Sequence, residues 1–488
     1  MLACWVLAPS VGLAQAPEAS RKAAPAAAVS EVLKVKRPLG GEYFGLYLMG
    51  QKVGYIFQDV GYLPGGKDKV RARTEFVFKA NVGGNKAERI QKETRVYEAR
   101  PNGRLLSFVV EQRGDGGDQT LEATATPQGL TVLRRRPGLP NQVLQLPPSK
   151  ERVEDADQVR LAALRNKRVE GVITDAQDLQ AYQVTSTPGA REERLLGGVK
   201  VSLRKVVTLS DKEKTPVDVF LADSGEVFEM SLGSTMVARA EPELTAKRLD
   251  MVGEVFALTR VVLPRSLPPA ASAIPGKVTF VMAGLPRKFQ VDGSRQTFKA
   301  LGNDQVEVTV AANLPDTRKH RPLASLRDPH GGIYLKSSIV VESDDADIQA
   351  LSRQLVAGEK DAYQAARKIV RWVSGNLTAA YGASLDRATD VLRAKKGDCT
   401  EHSLLTVSLL RAAGIPAKRV DGLIYMVNAD GVPALYWHEW VEAYVGEWLQ
   451  MDPTFGQEVA TAGRFAAGEE GNAEIVPLIG QLKVLEVR

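Results

Sequence analysis

The sequence predicts an α+β chain in which antiparallel β-rich N-terminal domain structure precedes a mixed α+β domain. Three observations predict it. Short apolar runs of period two fill the stretch from Gly40 to Glu243, a proline-rich segment at Leu263–Lys277 interrupts them, and after Tyr334 the apolar period lengthens to about 3.6. At 488 residues the chain exceeds one ordinary domain, and 44% hydrophobic with 25% charged residues suits globular cores. The net charge of +6 is thin over this length. Short basic clusters, Arg134-Arg135-Arg136 and Lys395-Lys396, lack interleaved aromatics and read as solvated surface, so no nucleic-acid partner is expected.

Residues 1–16 read as a signal segment: an apolar run ending in Ala14-Gln15-Ala16, a small-x-small pattern suited to signal peptidase. No Lys or Arg precedes the run and Pro17 follows the cut, which a start codon placed too far downstream would explain in part. Cys4 falls inside this segment. The Ala/Pro-rich residues 17–38 read as a flexible tether, and no later stretch is long and apolar enough to span a membrane. The expectation is an exported, periplasmic or envelope-associated protein.

Residues 39–262 form the β-rich domain. "EYFGLYLMGQKVGYIFQDV" gives two alternating runs around Met49-Gly50-Gln51-Lys52, a hairpin, and six similar runs follow, separated by Gly, Pro, Asn or Asp. Many strands with little helical period predict a curved antiparallel sheet or open barrel, interrupted by a helix near Ala156–Leu164. Residues 263–333 are a linker and a small β-rich segment, with "KVTFVMAGLPRKFQV" and "QVEVTVAANL" as strands. His320 and His330 lie in its polar, turn-rich end and read as loop residues.

Residues 334–488 form the second domain. Three helices are predicted: "DDADIQALSRQLVAG", with acidic residues at its start; "DAYQAARKIVRWVSGNL", with Ala362, Ala366, Ile369 and Val373 on one face; and "SLDRATDVLRAKKG", ending in cations and glycine. In "AKKGDCTEHSLLTVSLLRAAGIPAKRV", Asp398 and Glu401 make a capping-box spacing, so a further helix begins at Cys399 and closes at Gly414. If the signal is removed, Cys399 has no cysteine to pair with, which excludes an intrachain disulfide and leaves thiol-redox exchange without a resolving partner. Unpaired amides and the dipole at a helix N-terminus favour a thiolate there. Downstream, "LYWHEWVEAYVGEWLQMDPTF" reads as a hairpin turning at Val445-Gly446-Glu447, which sets His438 and Asp452 on one face. A thiol, an imidazole and a carboxylate so arranged are the parts of a Cys-His-Asp triad.

At these residues the sequence resembles the transglutaminase-like superfamily, in its exported bacterial form, over roughly Tyr334–Arg488: Gly-Asp-Cys, His-x-Trp and Asp-Pro-Thr occur in order. The resemblance implies a papain-like core with Cys399 as nucleophile, His438 as base and acid, and Asp452 orienting the histidine. Glu439 departs from the alanine common between His and Trp. Trp437 and Trp440 are structural residues or walls of a substrate groove, Tyr381 is a candidate oxyanion donor, and His402 assists, binds metal or simply packs. No acidic calcium-loop pattern is visible, so no cofactor or metal is expected. The expected chemistry is acyl transfer on protein or cell-wall peptide amides through a thioester, as hydrolase or transferase; the alternative is a catalytically idle envelope scaffold. Oligomeric state is not readable from the sequence.

Overall fold

The computed structural model describes residues 29–488 except 83–84, 115–116, 176–177, 197–198, 213–215, 233–234, 250–254, 275, 313, 381–384, 386, 429 and 470–477. Fourteen strands among the described residues form one antiparallel sheet. Its first strands, β1 (Glu42–Leu48) and β2 (Gln51–Tyr62), meet at Met49 and Gly50, both with positive φ (49° and 82°), as a twist-matched two-residue turn requires. Eight strands meander outward from β1; the chain then crosses through helix α1 (Gln158–Arg165) and returns through six more, the last of which, Met236–Ala240, pairs with β1. Inward-facing Phe44, Leu46, Phe108, Leu121 and Val132 share one core with Leu161 and Ala162 of α1. The predicted helical interruption is thus the element that fills the hollow of a curved sheet.

Two expectations need amending. Residues at the end of the stretch read as tether are packed: Ser30 and Val32 are fully buried, and Arg37 reaches Asp157 at 2.7 Å. The apolar Val32 joins the sheet's core, with Leu33 and Val35 packed against it. The cluster Arg134–Arg136 is not all solvated surface. Arg134 is 2% exposed, 3.7 Å from Glu342 and 3.6 Å from Asp390, and Arg136 bonds Asp390 at 2.5 Å. Only Arg135 between them points outward, as alternation along a strand demands. Burial and the neighbouring Arg387 and Arg136 push the Arg134 guanidinium down to about 9.

The following segment gives β3 (Gly276–Ala283), β4 (Gln296–Gly302) and β5 (Gln305–Ala312). Helices α2 (Ala346–Leu355), α3 (Ala362–Asn376) and α4 (Ala388–Ala394) come next. The first two start at Asp345 and Asp361, whose side chains accept backbone N–H groups. They enclose α5 (Cys399–Ala412), whose residues from Glu401 to Arg411 are all buried, the polar Glu401, His402, Ser403, Thr406, Ser408 and Arg411 among them. Then follow β6 (Ala417–Val427), β7 (Pro433–Tyr444), β8 (Trp448–Met451) and β9 (Arg464–Glu469), with β7 between β6 and β8 and β9 on the far edge of β6. Leu404, Leu405 and Leu409 of α5 pack with Ile369, Val373, Val441 and Met451. The last strand, β10 (Lys483–Val487), returns to pair with β3, so the small sheet is completed by the chain's C-terminal end. Among the described residues no helix is long and apolar enough to cross a membrane.

Candidate active site

The helix bearing the thiol starts where the capping pattern predicts. Asp398 accepts the N–H of Thr400 at 3.0 Å, and Glu401 accepts the N–H of Asp398 at 2.8 Å. The other oxygen of Glu401 accepts the N–H of Leu385 at 2.9 Å, tying the preceding loop to the same turn. Cys399 is therefore held at the N-terminus of a helix that cannot move without disturbing the core.

The hairpin also forms as read. β7 and β8 pair with Val441 opposite Met451, and the three-residue turn sets Asp452 beside His438. His438 Nε2 lies 2.8 Å from Asp452 Oδ2. A carboxylate only accepts, so Nε2 carries the proton and Nδ1 is left as the basic nitrogen. Asp452 is fully buried; its Oδ1 accepts the N–H groups of Thr454 at 3.0 Å and Phe455 at 3.4 Å. Burial alone would push its carboxyl up. The charge and hydrogen bond of His438, then those of Arg464, outweigh this and hold it well below the usual carboxylate range.

Cys399 meets the hairpin one residue past the imidazole: its sulfur accepts a hydrogen bond from the backbone N–H of Glu439. Burial, then the carboxylates of Asp398 and Glu439, push the thiol well above its ordinary range, against the pull of that amide. This direction runs against the pull expected of a helix N-terminus. A helix N-terminus favours the anion, while burial and the acidic neighbours Asp398 and Glu439 oppose it.

The remaining candidates separate clearly. Trp440 is fully buried; its ring stacks on His438 at 5.9 Å between centroids and its Nε1 donates to Gln450 Oε1 at 3.0 Å. It backs the imidazole and forms no groove wall. A Cβ on Gly422, opposite His438 in β6, would meet Phe465 O at 2.1 Å and the Trp440 ring at 2.6 Å, so glycine is what admits that ring. Trp437, pointing to the other face of β7, donates to Thr259 O at 2.9 Å and packs on the core shared with the small sheet. His402 places Nδ1 2.7 Å from Asp398 O, so that nitrogen bears the proton; burial lowers its pKa and keeps it neutral. In this tautomer Nε2 has no hydrogen to offer an oxyanion. Tyr381 lies outside the described residues. Among the described residues no group of three His, Cys, Asp or Glu side chains is arranged to hold a metal.

The sequence did not single out Arg464. Its side chain is 3% exposed, Nε donates to Asp452 Oδ2 at 2.7 Å, and NH1 donates to Thr461 Oγ1 at 2.8 Å. Nor did it single out Arg295, buried between β3 and β4, which donates to Ala311 O, Thr461 O and Gln450 Oε1. A lone arginine in an alternating strand carries no signal of its partner; only the fold supplies it.

A thiol at the tip of a buried helix, packed against a strand that presents a histidine bonded to a buried aspartate, defines the papain-like class of cysteine enzyme fold. The transglutaminase-like superfamily profile matches residues 349–453. Similar solved structures include a candidate cysteine protease from Cytophaga hutchinsonii (17% identity, 43% of this chain and 83% of that one, TM-score 0.31). A β-barrel-like protein of a domain of unknown function from Brucella abortus is 13% identical, over 41% and 94% of the two chains (TM-score 0.30). The periplasmic domain of TgpA from Pseudomonas aeruginosa bound to ethylmercury is 20% identical, over 41% and 89% (TM-score 0.25). No curated protein matches the chain in sequence.

Proposed function

We propose that the protein is a cysteine-dependent acyl-transfer enzyme acting on protein or cell-wall peptide amides outside the cytoplasm. Cys399 Sγ attacks the amide carbonyl carbon while its proton passes to Nδ1 of His438. Backbone amides at the start of α5, including that of Cys399, stabilise the oxyanion. The imidazolium then protonates the leaving amine as the tetrahedral intermediate collapses to a thioester. Water completes hydrolysis, or a second amine completes transfer; abundant water in a dilute exported setting tilts the reading to hydrolysis. Asp452 keeps the imidazole in the Nε2–H tautomer throughout.

The observation that carries this reading is the buried His438–Asp452 bond on the strand whose next backbone amide touches the Cys399 sulfur. One feature favours the idle-scaffold reading: burial and the carboxylates of Asp398 and Glu439 push the Cys399 thiol up. A neutral thiol needs a working base, which makes the readings separable. With p-nitrophenyl acetate at pH 7, wild type should acylate on Cys399 at least ~100-fold faster than His438→Ala, the usual range for a positioned base. Equally slow acylation of both would support the scaffold. Mass spectrometry of envelope proteins and peptidoglycan incubated with wild type and Cys399→Ala then distinguishes cleavage, seen as new free ends, from transfer, seen as new isopeptide links.

A further inference from the structure

We infer that Arg464 is a positioning residue of the catalytic site: it keeps Asp452 ionised and fixes the oxygen that holds His438. The inference rests on the triad reading above and extends it to a residue beyond the matched segment. Both His438 Nε2 and Arg464 Nε converge on one atom, Asp452 Oδ2, at 2.8 and 2.7 Å, inside a fully buried setting. Arg464 is itself pinned twice, by Thr461 Oγ1 at 2.8 Å and by the Phe455 ring, 5.6 Å from its guanidinium carbon. The opposite side of that contact also matters, because Phe455 meets the His438 ring edge-on at 5.6 Å. Phe455 therefore touches both groups that share the carboxylate.

The charged and titratable groups that face Asp452 come from three elements: His438 on β7, Arg464 on β9 and His402 on α5. Beyond Arg464 stands Arg295, a second buried cation, which bonds the backbone of Thr461. A neutral imidazole gives Asp452 no counter-charge during the half of the cycle in which His438 waits as a base. Arg464 supplies one that does not depend on the proton held by His438. Without it the buried carboxyl would take up a proton at higher pH, and a protonated Asp452 would offer its own O–H where Nε2–H now points. The imidazole would then lose its tautomer and its aim.

The test compares wild type, Arg464→Gln and Arg464→Lys by two readouts across pH 2–9. The first is the acylation rate with p-nitrophenyl acetate. The second is the downfield proton resonance of the His438 Nε2–H, assigned by its loss in His438→Ala and traceable because the chain holds four histidines. In Arg464→Gln the acid limb of the rate profile should move up by about one pH unit, the size expected for losing a contact charge. The Nε2–H resonance should vanish at correspondingly higher pH, and Arg464→Lys should restore most of both. Unchanged profiles in Arg464→Gln would overturn the inference. If Arg464→Gln does not fold, Arg464→Lys decides: a wild-type pH dependence supports the role of charge, and a shifted one overturns it. A wild type that is never acylated would sink the enzymatic reading instead, while the Nε2–H resonance would still report on Arg464.

Discussion

Cys399 differs from a generic helix-tip thiol because its carboxylate neighbours outnumber its donors. Asp398 and Glu439 both raise it, and the Glu439 backbone amide opposes them. Glu439 is therefore a tuning residue: its main chain stabilises the thiolate and its side chain disfavours it. Replacing Glu439 with alanine keeps the amide and removes the charge, so the alkaline midpoint of iodoacetamide labelling at Cys399 should fall by about 0.5–1 pH unit. Wild type should label slowly at neutral pH and climb steeply above the ordinary thiol value of about 8.5. A profile flat from pH 6 to 8 would mean a resting thiolate and refute the protonated ground state. The helix start at Cys399 and the His438–Asp452 pair were legible from order and spacing, because a capping box and a tight hairpin fix geometry locally. The sulfur's proton was not, since burial and the approach of Glu439 depend on how the hairpin docks on the helix. Arg464 was hidden for the same reason: its partner lies twelve positions away across a loop whose path the sequence does not declare.

Elements carry the site through their ends. Glu401 closes the first turn of α5, and both its oxygens hold backbone amides, of Asp398 and Leu385. Burial and the charge of Asp398 push this carboxyl up to about 9, so it is protonated at neutral pH. Its folded-state affinity for a proton exceeds the unfolded one, so its contribution to stability is present at low pH and declines as pH rises from the ordinary carboxylate range towards 9. Glu401→Ala would orphan two amides in a largely buried turn and should cost about 2–3 kcal/mol in urea unfolding. Less than about 0.5 kcal/mol would show that the turn re-satisfies those amides another way. The hairpin of β7 and β8 was readable in full, register included, because a three-residue turn leaves one choice of facing positions. Strand existence in the N-terminal sheet was readable for the same local reason. The pairing of its last strand with β1 was not, because closing that contact joins residues nearly two hundred positions apart and no local pattern encodes it.

At the scale of the whole molecule, the segment matched to the superfamily is not self-sufficient. Arg295, from the small sheet, bonds Gln450 Oε1, the acceptor for the Trp440 indole that backs His438, and Thr461 O, whose side chain steadies Arg464. Gln296 beside it accepts the N–H of Ala466 at 3.0 Å and donates to its carbonyl at 2.7 Å, mimicking a strand partner for β9. On the other flank, Arg134 and Arg136 tie the large sheet to α4, the helix just before the Cys399 turn. The sequence boundaries near 263 and 333 mark changes of period, yet the bonds cross them. β10 carries the consequence furthest. Val484 and Val487 are buried against the small sheet, the Val487 carbonyl receives the Arg265 guanidinium, and Arg488 and Thr279 exchange backbone hydrogen bonds. Removing Lys483–Arg488 would expose the edge of β3 and strip two buried valines, each worth roughly 1.5–3 kcal/mol by area alone. The truncated protein should lose stability by several kcal/mol, and its acylation rate should fall in proportion to the loosening of Arg295. Addition of Arg295→Met to the truncated chain should then lower the rate by less than it does in the full-length protein, since both changes weaken one support. Full additivity of the two losses would show that the C-terminal strand and the active site are independent.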